Sequence, residues 1–482
     1  MMKAEVVLVP FPAIGHLVST IEFAKRLLNW DQRLSITVLV IRPPSAPIVD
    51  SYTHSLATGD SQIRYVYLPQ LQPPPSDMMS KSVEKYFSDY IESHKPHVRA
   101  AITDGIVSCG SSNTVRLVVD LFCTSMIDVA NQLGVPSYVF FTSSAAFFGL
   151  MLHLPTHHNQ TGAEYNESDP DSIIPCYANP LPTNVLPSFV FNKQGGYASF
   201  LKHAMKFSEA RGIIVNTFAE LEPHALNGLS DGHAPPIYTA GPLLDLQGQN
   251  HLPQSDRDNI MKWLHCQPSL SVVLLCFGSM DTFSFSATQL AEMAAGLERS
   301  GHRFLWSIRR PPSPIGVPED YEEVLPPGFL KRVEGRGMVC AWVPQVEVLA
   351  HEAVGGFVSH CGWNSILESL WFGVPVVTWP IYAEQQINAF EMVRELGLAV
   401  ELRLDYRNHG FGDESGGVDV VTAEEIERAV RCLMDGDNPV RKRVGEMAEK
   451  SRKAVADGGS SFISIERLVE DMVVTTHEGS RV

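Results

Sequence analysis

Polar side chains suited to binding an anion and hydroxyl groups gather in the stretch HCGWNSILESLWFGVP, residues 360–375. The apolar run before it predicts a strand, and SILESLWFG predicts a helix that ends at its glycine. The turn between them would expose the N–H groups of a helix N-terminus, which binds phosphate without a lysine. His360, Asn364 and Ser365 add donors. Glu368, one turn further on the same helix face, offers a carboxylate to paired hydroxyls such as those of ribose.

Each of these residues alone fits an ordinary capped helix, but together they exceed what capping requires.

Two flanking segments extend the pattern. Trp342 follows a predicted strand, with Gln345 in the next turn, and an indole there can stack on a planar base. A single tryptophan is more often a core residue, so this interpretation depends on the neighbouring anion site. Glu384 and Gln385 also follow a strand, and a carboxylate beside an amide suits the hydroxyls of a sugar.

A candidate proton-transfer pair lies in the first half of the chain. His16 follows the first predicted strand in VPFPAIGHL, and Asp120 ends a later one in RLVVDLF. Carboxyl ends of parallel strands share one sheet edge, so the two can be neighbours despite their separation. An imidazole titrating at about 6.5 can accept a hydroxyl proton, and a carboxylate on its other nitrogen fixes the tautomer. Each residue could instead cap a helix.

The elements that must position these groups are short, continuously apolar runs separated by helix-length amphipathic segments. That alternation predicts an α/β, doubly wound fold with parallel sheets covered on both faces. The pattern also restarts, since Val-Val-Leu-Val at 6–9 and Val-Val-Leu-Leu at 272–275 are each followed by a phenylalanine two positions on. We therefore expect two Rossmann-like halves.

A chain of 482 residues favours two or three domains. We place an N-terminal domain at 1–240, a polar, Gly- and Pro-rich linker at 241–259 and a C-terminal domain at 260–459. A C-terminal helix at about 460–482 is expected to pack back on the first domain. The non-periodic stretch 154–184 is expected to be a surface insertion near a ligand mouth.

Composition excludes some partners. The net charge of −17 opposes binding to a nucleic acid backbone. No run reaches the roughly 18–20 apolar residues of a spanning helix, and the N-terminus reads as a buried strand, not a signal peptide. Cysteines without C-x-x-C spacing suit reduced thiols, so we expect a cytoplasmic protein, and we expect a monomer.

Other enzyme classes lack their motifs here. FPAIGHL is not the G-x-G-x-x-G of a dinucleotide-dependent oxidoreductase, and no P-loop motif occurs. HEAVG falls short of the zinc-peptidase motif, so we expect neither a metal nor another cofactor.

The run from Trp342 to Gln385 resembles the signature box of plant family-1 UDP-sugar-dependent glycosyltransferases: W-x-x-Q, H-x-G-W-N-S, E and a final acid–Gln pair at that family's spacing. The resemblance extends from PFPAIGHL to the C-terminal helix. It implies the GT-B fold, in which two Rossmann-like domains face each other across a cleft. It also implies direct displacement with inversion, His16 being the base and Asp120 its orienting partner.

The resemblance implies a role for each matching position. The implied UDP-binding residues are Ser279, Ser307, Trp342, Val343, Gln345, His360, Gly362, Asn364, Ser365 and Glu368, with Trp342 on uracil and Glu368 on ribose. The implied sugar-binding residues are Thr142, Trp363, Glu384 and Gln385. The final Gln favours UDP-glucose, while Glu384 departs from the more common Asp, so sugar preference is less firmly implied than nucleotide binding.

The acceptor is expected to be a small lipophilic phenolic such as a flavonoid or dihydrochalcone, held by loops of the first half. Phe122, Phe147 and Phe148 are candidate walls and equally ordinary core aromatics. The alternatives are a terpenoid or carboxylic-acid hormone acceptor, or a non-catalytic sugar-nucleotide-binding protein.

Overall fold

The structure, a computed structural model, describes residues 4–43, 52–53, 62–104, 114–230, 232, 234–248, 254–278, 285–308, 321–407 and 419–473. The chain divides into two compact units. Unit 1 consists of Met1–Pro180, Phe189–Leu244 and Lys453–Val482. Unit 2 consists of Leu181–Ser188 and Asp245–Arg452.

Parallel strands form one sheet in each unit. Those of unit 1 are β1 (Ala4–Val9), β2 (Leu34–Val40), β3 (Ile63–Tyr67), β4 (Thr114–Asp120), β5 (Ser137–Phe141), β6 (Gly212–Val215) and β7 (Ile237–Thr239). Those of unit 2 are β8 (Val272–Cys276), β9 (Arg303–Ser307), β10 (Gly337–Cys340), β11 (Val354–Ser359), β12 (Val376–Thr378) and β13 (Ala399–Glu401).

Helices connect and cover these strands. They are α1 (Ile14–Trp30), α2 (Ser76–Lys81), α3 (Val83–Ser93), α4 (Lys95–Ile102), α5 (Ile127–Leu133), α6 (Ala145–Thr161), α7 (Gly196–Phe207), α8 (Pro223–Gly228), α9 (Gln254–His265), α10 (Ala287–Ser300), α11 (Phe329–Arg332), α12 (Gln345–Leu349), α13 (Trp363–Phe372), α14 (Gln385–Phe390), α15 (Ala423–Met434), α16 (Pro439–Val455) and α17 (Ser460–Val473). In the described part of the chain, no helix combines the length and apolarity needed to cross a bilayer.

The two sheets repeat one strand order. In unit 1 it is β3-β2-β1-β4-β5-β6-β7, and in unit 2 it is β10-β9-β8-β11-β12-β13. Strands β1 and β8 therefore occupy the same central place, each between the strand that follows it and the strand reached by a crossover. This confirms the predicted α/β class with two Rossmann-like halves. In such sheets the order reverses beside the central strand, and ligands bind at the carboxyl ends of the strands there.

The domain limits differ from those expected from composition. Helix α9 begins within the predicted linker, and unit 2 already begins at Asp245. The segment Leu181–Ser188 belongs to unit 2, where Asn184 donates to Asp405 at 2.9 Å and accepts from Arg407 at 2.8 Å. Hydrogen bonds between residues so distant in the chain leave no local compositional signal.

The stretch 154–184 is not wholly irregular. Helix α6 continues through Pro155 to Thr161 and ends at Gly162, whose φ of 68° is left-handed. A proline removes one helical hydrogen bond but does not end a helix whose buried face still packs. Leu150, Met151 and Leu154 supply that buried face here.

The C-terminal helix α17 packs on the sheet of unit 1. Its buried residues include Leu468 and Met472, which belong to the same apolar cluster as β1 and β2. Asp471 accepts hydrogen bonds from Arg211 Nη2 at 2.5 Å and from the Tyr138 hydroxyl at 2.5 Å. These contacts fasten the end of the described chain to the first unit.

Candidate functional site

In unit 1, three neighbouring strands bring three polar side chains to one sheet edge. Strand β4 pairs with β1 on one side and β5 on the other. His16 lies in the first turn of α1, Asp120 is the last residue of β4, and Thr142 directly follows β5. His16 Nδ1 lies 2.7 Å from Asp120 Oδ2, across 104 positions of sequence. Parallel strand ends therefore meet here as the topology requires.

Burial and hydrogen bonding suit this pair to proton transfer. The Asp120 side chain is 1% exposed and that of His16 is 22% exposed, so only the imidazole is open to a partner. Asp120 Oδ1 accepts from the Phe122 N–H at 2.9 Å, which orients the carboxylate. Helix α1 has Ala13 as its N-cap, so His16 does not serve as a cap. Thr142 Oγ1 lies 3.0 Å from the same His16 Nδ1.

Aromatic rings surround the His16 imidazole. Phe11 lies 5.2 Å and Phe122 lies 5.5 Å from it, between ring centroids, and Phe87 packs edge-on against Phe11 at 5.4 Å. All three rings are half-buried. They form an apolar wall beside the His16 imidazole. The sequence interpretation missed Phe11 and Phe87, although Phe11 stands in the same loop as His16.

Phe147 and Phe148 lie where the core interpretation places them, and their role as acceptor walls stays a prediction. They are 2% and 0% exposed and pack against Phe141 in the core of unit 1. Both lie on α6 just after its N-cap, Ser144, so the helix turns them inward. Of the three predicted wall residues, Phe122 is the one that lies beside His16.

In unit 2 the strand–turn–helix pattern is present with a different cap. Strand β11 ends at Ser359, and α13 runs from Trp363 to Phe372, with Gly373 as its C-cap at a left-handed φ of 73°. The N-cap is Gly362 without a side-chain hydrogen bond, not Asn364 or Ser365, which lie in the first turn. The N-terminus of α13 therefore has no side-chain cap, and its positive dipole end is suited to an anion.

His360 directly follows β11 and is held in a narrow slot. A Cβ at Gly278 would lie 2.8 Å from His360 Nε2, and a Cβ at Gly362 would lie 2.5 Å from it. Burial lowers the pKa of His360 to about 4, although a hydrogen bond with the Cys276 backbone opposes that shift, so the ring is neutral. Its Nδ1 is buried without a hydrogen-bond partner in the described part of the chain. A neutral imidazole offers a hydrogen bond to phosphate without a full charge.

A hydrogen-bonded triad joins the start of α12 to the first two turns of α13. Gln345 Nε2 donates to Ser365 Oγ at 2.9 Å and to Glu368 Oε2 at 2.6 Å. Burial raises the pKa of the Glu368 carboxyl to about 7, the Gln345 hydrogen bond opposes that shift and the charge of Asp245 adds to it. An unliganded Glu368 carboxylate is therefore poorly solvated and gains from hydroxyl donors.

The turn that carries Trp342 and Val343 follows β10. Ser307, at the end of β9, donates from Oγ to the Ala341 carbonyl at 3.0 Å, so its hydroxyl holds the turn that carries Trp342. The Trp342 ring is half-buried, and Val343 is buried. Ser279, the remaining predicted nucleotide residue, lies outside the described residues.

The predicted sugar-binding residues lie at the start of α14. Glu384 is its half-buried N-cap. Gln385 Oε1 accepts from the Ile381 and Tyr382 N–H groups at 2.9 and 3.1 Å, which turns its NH₂ group away from those amides. Trp363, also assigned to the sugar, is only 3% exposed, so its ring offers little surface.

Two turns of unit 2, the one before α13 and the one before α14, each hold a strained residue. Cys361 and Ala383 have φ values of 64° and 55°, a region that side chains other than glycine rarely adopt. Asn388, fully buried on α14, donates to the Cys361 carbonyl at 3.0 Å and so links the two turns. Sequence reasoning missed Asn388, although its position three residues after Gln385 on the same helix was a usable signal.

Comparison with known proteins places these features among sugar-nucleotide enzymes. The family model described as UDP-glucoronosyl and UDP-glucosyl transferase matches residues 243–408. The chain is 52% identical to UDP-glycosyltransferase 71K1 of Malus domestica, over 98% of this chain and 99% of that one. It is 46% identical to the flavonol 3-O-glucosyltransferase UGT71C4 of Arabidopsis thaliana, over 98% of each. The crystal structure of Medicago truncatula UGT71G1 complexed with UDP-glucose matches with a TM-score of 0.89 and 48% identity, over 98% of this chain and 99% of that one.

Proposed function

The chain belongs to the plant family-1 UDP-sugar-dependent glycosyltransferases, with their GT-B fold of two Rossmann-like domains, and we propose that it transfers glucose with inversion from UDP-glucose to a hydroxyl of a small phenolic acceptor. His16 serves as the general base and Asp120 orients it.

The hydrogen bond of 2.7 Å between His16 Nδ1 and Asp120 Oδ2 carries this proposal. A buried, ionised carboxylate accepts hydrogen bonds only, so Nδ1 carries the proton and Nε2 is left as the basic atom. A phenol titrates near 10 and is a weak nucleophile at neutral pH. Proton removal as it attacks contributes typically 10²–10⁴-fold to the rate. Asp120 stabilises the imidazolium that forms.

The donor is handled by groups of unit 2. The uncapped N-terminus of α13 and the neutral His360 suit the diphosphate, because they offer N–H donors without a mobile cation. The same N–H groups stabilise the negative charge on departing UDP. Trp342 stacks on uracil, and the Glu368 carboxylate accepts from the ribose hydroxyls in place of water.

A phenolic acceptor is supported by two observations. Phe11, Phe87 and Phe122 offer half-buried aromatic faces and edges beside the proposed base. Among the relatives are a flavonol 3-O-glucosyltransferase and an anthocyanidin 3-O-glucosyltransferase of Manihot esculenta, the latter 47% identical over 95% of this chain and 100% of that one. Glucose is supported by Gln385, whose Oε1 is held by two backbone N–H groups so that its NH₂ group is left to donate to a sugar hydroxyl.

A panel of acceptors tests the proposal. Purified protein is incubated with UDP-glucose and, separately, flavonols, simple phenols, terpenoid alcohols and carboxylic-acid hormones, and products are detected by mass. We expect O-glucosides of flavonols or simple phenols and stoichiometric UDP release, with β-configured products from the α-linked donor. Products from terpenoids or acids alone would move the acceptor class to that alternative. UDP-glucose binding without any product would support the non-catalytic alternative.

A further inference from the structure

We infer that Thr142 is a positioning residue for His16, its hydroxyl oxygen sharing the Nδ1 proton with Asp120 and thereby fixing the direction of Nε2. This inference deepens the proposed function and rests on His16 being the base. It differs from the sugar contact that the family resemblance implies for this position.

The geometry around a single nitrogen carries the inference. Thr142 Oγ1 lies 3.0 Å and Asp120 Oδ2 lies 2.7 Å from His16 Nδ1. An imidazole nitrogen has one proton or one lone pair in the ring plane, so both partners must meet the same group. Because the ionised carboxylate can only accept, that group is an N–H, and the threonine oxygen is its second acceptor.

The backbone fixes Thr142 beside Asp120, as a residue that positions His16 must be. It is 7% exposed and directly follows β5, which pairs with β4 and so carries Thr142 alongside Asp120. The following residues begin α6, where Ser144 Oγ accepts from the Phe147 N–H at 3.0 Å. A β-branched side chain on a fixed backbone has few accessible rotamers.

A buried carboxylate from elsewhere in unit 1 fastens the same turn. Glu222 is 1% exposed, and its two oxygens accept from the Ala145 and Ala146 N–H groups at 3.0 and 2.8 Å. The start of α6 is therefore fixed by tertiary contact as well as by its cap. The hydroxyl of Thr142 consequently meets His16 from an anchored turn.

The contact between Thr142 and His16 Nδ1 matters because of how protons move during the reaction. The acceptor oxygen forms a bond to the anomeric carbon while its proton moves to His16 Nε2. The bond from that carbon to the diphosphate oxygen breaks, with its electron pair leaving on UDP. Throughout, the Nδ1 proton stays between Asp120 and Thr142. Losing one of these two acceptors lets the ring rotate away from the line of attack.

The test compares Thr142→Val, which keeps shape and removes the hydroxyl, with Thr142→Ser, which keeps the hydroxyl. Thr124→Val is the matched control, because Thr124 Oγ1 makes the same kind of contact, at 2.7 Å, with Nδ1 of a different buried histidine, His203. We expect Thr142→Val to lower kcat about fivefold, the effect of one ordinary hydrogen bond, at unchanged KM for UDP-glucose. Thr142→Ser should restore kcat, and Thr124→Val should leave it unaltered. A raised donor KM at normal kcat would overturn the inference in favour of a sugar contact.

A second readout needs no turnover. Nitrogen-15 shifts of labelled histidine, with His16 assigned by its loss in His16→Gln, report which ring nitrogen carries the proton. We expect the His16 Nδ1–H signal to shift or broaden in Thr142→Val and to return in Thr142→Ser. An unchanged signal would overturn the inference even if the acceptor panel yields no product, so its failure is separable from that of the proposed function.

Discussion

The same place in the two sheets carries opposite chemistry. Beside β1 and β4, in unit 1, a histidine lies against a buried carboxylate and is 22% exposed. Beside β8 and β11, in unit 2, a histidine is buried in a slot bounded by two glycines, and burial lowers its pKa to about 4. One fold position therefore holds a group equipped to gain a proton and the other a group kept neutral.

This difference shows how environment, not residue type, assigns the role. Asp120 compensates the charge that His16 would acquire, so protonation is accommodated during a reaction. The pKa of the His360 ring is shifted by burial and by a backbone hydrogen bond, with no carboxylate among the causes, and desolvation disfavours its charged form. His360 is consequently suited to a constant hydrogen bond with a ligand that is already charged.

Replacing the proposed base, His16, should give the largest difference between an effect on turnover, which depends on unit 1, and an effect on UDP binding, which depends on unit 2. We expect His16→Ala to lower kcat by about 10²–10⁴-fold, because the acceptor must then lose its proton unaided. The affinity for UDP should stay within about twofold, since unit 2 is unaltered. Steady-state kinetics and calorimetric titration with UDP check the two halves of this expectation. A variant with near-normal turnover would remove His16 from the mechanism.

Titrating Glu368 tests whether unit 2 binds through an ionised carboxylate. Its pKa of about 7 in the free protein means that protonation competes with ribose binding as the pH falls. We expect affinity for UDP-glucose to fall about tenfold from about pH 8 to about pH 6, and to be full on the alkaline side. UDP-glucose is the better probe, because the terminal phosphate of UDP itself titrates near pH 6. Glu368→Gln should bind more weakly and show no such dependence; an equal slope in that variant contradicts the ribose role.

A side chain placed in the slot around His360 should lower the affinity for UDP-glucose through unit 2 alone. Gly278 has a φ of 88°, and a Cβ there meets His360 Nε2 at 2.8 Å. We expect Gly278→Ala to weaken UDP-glucose binding about fivefold, because displacing His360 removes one ligand hydrogen bond worth about 1 kcal/mol. Gly301→Ala is the control, with a φ of 76° and open space around its Cβ. Equal binding losses in both variants, measured by calorimetry, would indicate a general backbone effect instead.

Trimming the aromatic wall should have the smallest effect and should be confined to unit 1. We expect Phe122→Leu to raise the acceptor KM about threefold, the lower end of what an aromatic contact contributes. The KM for UDP-glucose should not change. Phe148→Leu serves as the control, because that ring lies in the core and its loss should lower thermal stability without altering acceptor KM. An effect of Phe148→Leu on acceptor KM would instead support its predicted role as a wall residue.

Sequence reasoning reached the fold and the pairing of His16 with Asp120 for one physical reason. Continuous apolar runs mark parallel strands, and parallel strands bring the residues after them to one edge. It failed where position depends on packing between distant elements. Whether Phe147 faces a ligand or the core depends on how α6 lies against β5. The clearance around His360 depends on a glycine of β8's loop, and neither relation leaves a local pattern.

A crystal structure with an unreactive UDP-glucose analogue and a phenol is the most direct test of the claim that unit 2 binds the diphosphate and His16 of unit 1 contacts the acceptor. We expect diphosphate oxygens within about 3 Å of the first-turn N–H groups of α13, around Asn364, and the phenol oxygen within hydrogen-bond reach of His16 Nε2. A diphosphate bound away from α13, or a phenol oxygen beyond the reach of His16, would contradict it.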